Sequence, residues 1–160
     1  MKIGIIIIFH NNEKEIDRDC FIEHSNLAEN LELCLVNNDS KDNTFKILQE
    51  IKEVCANVSV VNIKKLKSEI AAVRAGARYM FNQFDLQHIG FVSTNSLNTN
   101  QHGLNELIKR ISENQKVILK YNINTLEKKE IKQTLFQSLF SVIEYLKQLN
   151  EENHIVHLQY

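Results

Sequence analysis

Ile3-Gly4-Ile5-Ile6-Ile7-Ile8-Phe9 opens the chain as an unbroken apolar run that stops at the polar triplet His10-Asn11-Asn12. A run without polar alternates has no face to offer water. It therefore reads as a strand covered on both sides, the pattern of the middle of a parallel sheet. Leu31 to Val36, broken only by Glu32, is a second such run, and Val58 to Ile63 and His88 to Val92 read as a third and a fourth strand. A shorter one at Val117 to Lys120 is expected to be a fifth strand. Helical segments separate them. Residues from about 12 to 30 are polar and weakly periodic, and Phe45, Ile47, Leu48, Ile51, Val54 and Cys55 recur at threes and fours behind Asp42, a suitable N-cap. Ser68-Glu69 opens a helix through Ala71, Ala72, Ala75 and Tyr79, whose small residues let it sit close to a sheet, and another short helix is expected near 100–111. Strand–helix alternation with short connections predicts a three-layer α/β/α domain with a mostly parallel, doubly wound sheet and the first strand between the second and the fourth.

Beyond residue 120 the pattern changes. Ile131, Leu135, Phe136, Leu139, Phe140, Ile143, Leu146 and Leu149 form an apolar stripe at helical spacing, which predicts one helix over 131–149. Core packing is the first use of such a stripe, a homodimer interface the second and a membrane-surface helix the third. His154 to Tyr160 is expected to be an edge strand. The chain is thus expected to be a single domain over 1–160, with a core at 1–120 and a C-terminal helix and edge strand at 121–160.

Composition narrows the function classes. The 160 residues carry 19 Lys+Arg and 20 Asp+Glu, a formal charge of −1, with 43% apolar and 24% charged residues. That is an ordinary globular composition, without the basic excess expected of a nucleic-acid binder. Cys20, Cys34 and Cys55 form no C-x-x-C pair, so neither a disulfide framework nor a zinc ribbon follows, and a cytoplasmic location is expected. No apolar run approaches the roughly 20 residues of a membrane helix, and there is no signal-peptide pattern. Proline is absent and glycine occurs only at Gly4, Gly76, Gly90 and Gly103, which excludes Gly-rich phosphate loops.

In doubly wound sheets ligands bind outside the carboxyl ends of the strands. Three polar clusters fall there: His10-Asn11-Asn12, Asn37-Asn38-Asp39-Ser40 and Ser93-Thr94-Asn95. Their neutral donors and acceptors suit a nucleobase, a ribose or a sugar. The competing reading is that Asn, Asp and Ser merely form turns after strands. Other chemistries have less support. His154-x-x-His157 has no carboxylate or cysteine partner at metal-ligand spacing. Glu151-Glu152 reads as a solvated turn and Cys34 as an inert core residue, and no G-x-S-x-G elbow supports a hydrolase triad.

Taken in order, four motifs resemble family 2 glycosyltransferases of the GT-A fold. Ile5 to Glu13 looks like that family's opening strand and its polar end. Cys34-Leu35-Val36-Asn37-Asn38-Asp39-Ser40-Lys41-Asp42-Asn43-Thr44 is similar to its V-D-D-G-S-x-D-x-T segment. Ala71-Ala72-Val73-Arg74-Ala75-Gly76-Ala77 resembles its A-A-V-R-x-G helix, and Ile89 to Asn95 its strand bearing D-x-D. The resemblance spans about 1–120. It implies a nucleotide or nucleotide-sugar ligand held by His10, Asn11, Asn38, Asp39, Arg74, Ser93 and Asn95.

The departures are chemical. Asn37 and Asn38 stand where the family has acidic base-contacting residues, and Asp39 replaces a glycine. Ser93-Thr94-Asn95 replaces the Asp-x-Asp whose carboxylates hold Mg²⁺ or Mn²⁺ against the donor diphosphate, so neither metal is expected to be held there. A Gly-containing loop is replaced by Lys65-Leu66-Lys67-Ser68-Glu69-Ile70, and the family's acceptor half and Q-x-x-R-W segment are not found. Two functions follow: a nucleotide-sugar-binding transferase with weak or absent metal-dependent transfer, or a non-catalytic nucleotide-, sugar- or protein-binding module on the same fold.

Overall fold

A computed structural model of the chain describes residues 2–94, 103–129 and 133–158. The elements in chain order are β1 (Ile3–Phe9), α1 (Arg18–Leu27), β2 (Leu31–Asn38), α2 (Thr44–Val54), β3 (Val58–Ile63), α3 (Glu69–Gln83), β4 (His88–Ser93), α4 (Gly103–Glu113), α5 (Gln115–Glu127), α6 (Leu135–Ser138), β5 (Phe140–Ser141) and α7 (Val142–Leu158). The five strands lie in the order β3-β2-β1-β4-β5. Every pairing is parallel. β1 runs between β2 and β4, with Ile3 opposite Leu31 on one side and His88 on the other.

Side-chain alternation along the strands builds two cores. Ile3, Ile5, Ile7 and Phe9 point one way and pack with Leu33, Leu35, Phe21 of α1, Leu48 and Ile51 of α2, Ile108 of α4, Ile118 of α5 and Leu146 of α7. Ile6 and Ile8 point the other way and pack with Cys34, Val36 and Ala72, Val73, Ala77 and Met80 of α3. These are the outer layers of an α/β/α sandwich. Gly76 sets the α3–sheet distance: a Cβ there would stand 2.7 Å from Ile6 Cγ2 and 3.1 Å from Val36 Cγ2. Cys34 is fully buried, and that burial pushes its thiol up to about 12.

Helix starts follow local chemistry. Ser68 caps α3 by accepting from Ala71 N at 3.2 Å. Asp17 does the same for α1 through Cys20 N at 3.1 Å. The N-cap of α2 is Asn43, not Asp42. Asp42 sits one residue earlier, and its carboxylate accepts from Thr44 N at 3.0 Å and from Thr44 Oγ1 at 2.6 Å.

The C-terminal third departs from the sequence expectations. Val117–Lys120 is not a strand but part of α5, where Ile118 and Asn122, four apart, are the buried positions. A short apolar run fits a strand or a buried helical turn equally well, and the slot beside β4 is taken by Phe140–Ser141. The expected helix over 131–149 does not form as one element. Its apolar residues are divided: Leu135, Phe136 and Leu139 pack on the α3 side, while Phe140, Val142 and Leu146 pack on the opposite side. The chain crosses the sheet edge between them, and Leu139 is extended at φ −63°, ψ 138°. Core packing, the first use expected of that stripe, is what these residues do. His154–Tyr160 was expected as an edge strand, but α7 runs through Leu158; residues 159–160 lie outside the described residues. Glu151 and Glu152 belong to the same helix and not to a turn.

Candidate functional site

The carboxyl ends of β1, β2, β3 and β4 share one edge of the sheet, and the polar clusters gather there. Asn12 is the hub. Its Oδ1 accepts from His10 N at 2.7 Å and from Thr94 Oγ1 at 2.9 Å, and its own N–H donates to Thr44 Oγ1 at 2.8 Å. Thr94 Oγ1 also bonds the Ile8 carbonyl at 2.8 Å. One buried amide thus ties the ends of β1 and β4 to the start of α2.

The β1–α1 and β2–α2 loops are joined along their length. Asn11 N donates to Ser40 Oγ at 3.0 Å, and Asn11 Oδ1 accepts from Lys41 N at 2.7 Å. Glu13 N donates to Asp42 Oδ2 at 3.2 Å, while the Glu13 carboxylate accepts from Asn43 Nδ2 at 2.9 Å. His10 Nδ1 lies 2.7 Å from the Asn38 carbonyl, and its Nε2 lies 3.2 Å from Asn11 Nδ2. A carbonyl only accepts, so this network assigns the proton to Nδ1 and the lone pair to Nε2. Asn11 and Asp39 carry φ of 52° and 53°, the only non-glycine residues with positive φ among the described residues. Such backbone costs of order 1 kcal/mol and gathers at functional sites. Asp39 occupies the place where the family pattern has glycine.

Asn38 and Asp39 hold the β3–α3 loop. Asn38 Nδ2 donates to the Lys67 carbonyl at 2.9 Å and Asn38 Oδ1 accepts from Lys67 N at 3.0 Å, so its amide pairs with both backbone groups of one residue. Asp39 accepts from Lys41 Nζ at 2.9 Å and from Leu66 N at 3.2 Å. The Lys41 hydrogen bond, above all, holds the Asp39 carboxyl below its ordinary value. Burial works against the Asp42 charge, but the hydrogen bonds from Thr44 outweigh it and keep that carboxyl low as well.

Arg74 and Ser93 stand apart from this network. Ser93 ends β4 at 4% exposure, and its Oγ is buried without a hydrogen-bond partner among the described residues. By alternation from Ile89 it faces α3. Arg74 is exposed on the second turn of α3, and its guanidinium lies 5.3 Å from the Phe136 ring centroid. It borders a cleft of about 200 Å³ between α3, β4 and α6, lined by Glu69, Ile70, Val73, Phe91, Phe136 and Leu139. Asn95 lies outside the described residues. The fold therefore brings His10, Asn11, Asn38 and Asp39 into one bonded cluster, with Ser93 and Arg74 on the α3 side of it. Asn12, Thr94 and the Lys67 peptide complete the arrangement. Asn12 was visible only as one more member of a polar triplet, and nothing local singled out Thr94.

A family model described as glycosyl transferase family 2 matches residues 4–159. The chain belongs to glycosyl transferase family 2. No curated protein sequence matches this family 2 chain. Among solved structures it is similar to the mannosyltransferase PcManGT of Pyrobaculum calidifontis, in complex with GDP-Man and Mn²⁺, at 14% identity and TM-score 0.49, covering 69% of this chain and 32% of that one. It is also similar to S. aureus TarS 1–349, at 17% identity and TM-score 0.46, covering 72% of this chain and 33% of that one. The family 2 chain thus spans about a third of each of these structures.

The donor set at the end of β4 does not fit a divalent cation. Ser93 is a neutral hydroxyl, and Thr94 Oγ1 is already bonded to Ile8 and Asn12. The nearby carboxylates Asp39 and Asp42 are committed to Lys41, Leu66, Thr44 and Glu13. Among the described residues no three His, Cys, Asp or Glu side chains are placed to hold a metal. Mg²⁺ and Mn²⁺ prefer carboxylate and phosphate oxygens, and the carboxylates described at this edge are already engaged.

Proposed function

We propose that the chain binds a nucleotide sugar at the carboxyl edge of its sheet, on the α3 side, over Asn11, Asn38, Arg74 and Ser93, with little or no metal-dependent glycosyl transfer. Family 2 membership and the rigid polar rim support the binding reading. The observation that carries it is the buried hydroxyl of Ser93, unpartnered among the described residues and opposite Ile8 at the end of β1. A buried hydroxyl without a partner costs about 1–3 kcal/mol, and a ribose or phosphate oxygen of a bound ligand would remove that cost. The chemistry runs short at the leaving group. A departing nucleoside diphosphate gains negative charge, and a missing preorganised stabiliser costs about 3–4 kcal/mol, or 10²–10³-fold in rate. Neutral Ser93 and Thr94 supply no carboxylate to recruit a metal. The residual cationic groups are Arg74 and Lys67, which make no ion pair among the described residues.

The second reading, a binding module without transfer, is favoured by the same neutral strand end. Calorimetry with a panel of UDP- and GDP-sugars, with and without Mn²⁺, separates the two when paired with a donor-turnover assay. Binding independent of Mn²⁺ and weakened by Arg74→Ala is the expected result. Robust turnover abolished by EDTA would overturn the metal reading, and turnover indifferent to EDTA but lost in Arg74→Ala would favour a cationic transferase. No binding of any donor would remove the proposal.

A further inference from the structure

Along α3 and the loop before it, charge and apolar surface extend beyond Arg74 and Lys67, the two cations assigned to the nucleotide-sugar site. Residues 64–81 contain five cationic side chains, Lys64, Lys65, Lys67, Arg74 and Arg78, against the single carboxylate of Glu69, in a chain whose overall charge is −1. All five cations are exposed, and none makes an ion pair among the described residues. Three large hydrophobic residues stand exposed on the same stretch: Leu66 at 57%, Ile70 at 67% and Phe81 at 59%. On the helix, Ile70, Arg74, Arg78 and Phe81 follow one another at steps of four, four and three, so they share one face opposite the buried Ala72, Gly76 and Met80. At 1.5 Å per residue, Ile70 and Phe81 are about 16 Å apart along that face. Phe136 lies between the two arginines, 5.3 Å from each guanidinium, and adds an aromatic ring to the stripe.

We propose that this face of α3, with the Lys64–Lys67 loop, docks on an anionic lipid surface. The cations pair with lipid phosphates while Leu66, Ile70 and Phe81 enter the interface, the division of labour seen in amphipathic surfaces that lie on a bilayer. Charge complementarity decides the occupant. A second copy meeting this face by two-fold symmetry would set five cations against five. A nucleic acid would leave the bulky apolar residues Leu66, Ile70 and Phe81 without a role. The inference stands independently of nucleotide-sugar binding. Its geometric consequence is that the cleft beside Arg74 opens next to the lipid surface.

Vesicle co-sedimentation tests it with the whole chain. Binding is expected to vesicles of equimolar phosphatidylcholine and phosphatidylglycerol, with little to phosphatidylcholine alone, and binding of the unmutated chain is expected to fall as salt rises. The double variant Lys65→Glu, Arg78→Glu is expected to lose at least about fivefold per residue reversed. The double variant Ile70→Ser, Phe81→Ser is expected to lose at least about tenfold. Leu27→Ser with Val54→Ser, at exposed positions on α1 and α2, is expected to bind as the unmutated chain does. All these positions are exposed, and circular dichroism melting checks that each variant folds. No binding to anionic vesicles, equal binding to neutral ones, or full binding by either α3 variant would overturn the proposal. So would self-association of the free chain through α3, or retention on RNA in place of vesicles.

Discussion

The two halves of the sheet's carboxyl edge are built to opposite standards. On the β1–β2 side, His10, Asn11, Asn12, Asn38, Asp39 and Asp42 are bonded to one another or to backbone, mostly across about thirty residues of sequence. On the β4–α3 side, among the described residues, Ser93 Oγ is buried without a partner and Arg74 stacks over the Phe136 ring and makes no ion pair. Satisfied polar groups fix a shape, whereas unsatisfied ones carry a cost that a ligand can repay. The first half is scaffold apart from Asn37, whose Oδ1 is also buried without a partner among the described residues, and the second is where binding energy is available.

The largest test attacks the seat of the open half. In Gly76→Val the new side chain meets the stiff Cγ2 of Ile6 and that of Val36, so α3 must shift. A loss of about 3 kcal/mol in denaturant unfolding is expected, and a loss below about 1 kcal/mol would mean that α3 is loosely seated. Next comes the hub. Asn12→Ala removes the acceptor of His10 N and Thr94 Oγ1 together. It should cost about 2–3 kcal/mol, read as a Tm drop of roughly 5–10 °C, and should weaken donor binding as well because the loops lose their brace.

Acid sharpens the contrast from the far edge of the sheet. His88, 5% exposed at the start of β4, accepts from Asn122 Nδ2 through Nδ1 at 2.7 Å, and Tyr145 OH donates to Asn122 Oδ1 at 2.9 Å. Burial holds His88 below the ordinary histidine value of 6.5. The unfolded chain therefore takes up a proton that the folded chain refuses. This contribution to stability is intact above 6.5 and is lost as pH falls below it. The lowered carboxyls of Asp39 and Asp42 keep theirs until pH falls below their ordinary 3.8. Urea unfolding against pH should show the histidine step first, and His88→Gln should abolish it. Persistence of the step in that variant would assign it elsewhere.

The smallest expected effect is the most discriminating. Ser93→Ala removes a buried hydroxyl that bonds nothing among the described residues, so stability should stay within about 0.5 kcal/mol or rise, while donor affinity falls. A loss above about 1 kcal/mol would make Ser93 part of the scaffold and erase the difference between the halves.

The sequence made the first four strands legible because they are long, apolar and bounded by turn formers, and α2 and α3 legible because their periodicity is strong. It misled where a few residues decide. Val117–Lys120 is too short for its period to choose between helix and strand. The 131–149 stripe is periodic, yet its residues serve opposite faces of one sheet. At the site, residue types were visible and partners were not. The bond between Asn12 and Thr94 spans 82 residues, and local sequence carries no mark of it. The exchange between Asn38 and the Lys67 peptide is hidden in the same way, since an amide that braces a loop and one that reads a base have the same composition.

The central position of β1 also sets an order of assembly. Its Ile-rich run is made before the strands it pairs with, carries no charge between Ile3 and Phe9, and must wait for β4, which starts at His88, before its second edge is covered. Until then the nascent chain displays an uncharged, β-prone window of the kind that seeds intermolecular pairing. The feature that makes the sheet's centre the most deeply buried part of the native protein makes it the most exposed liability of the unfinished one. Expression yield should therefore respond more to how fast residues 10–93 follow than to any change at the candidate site.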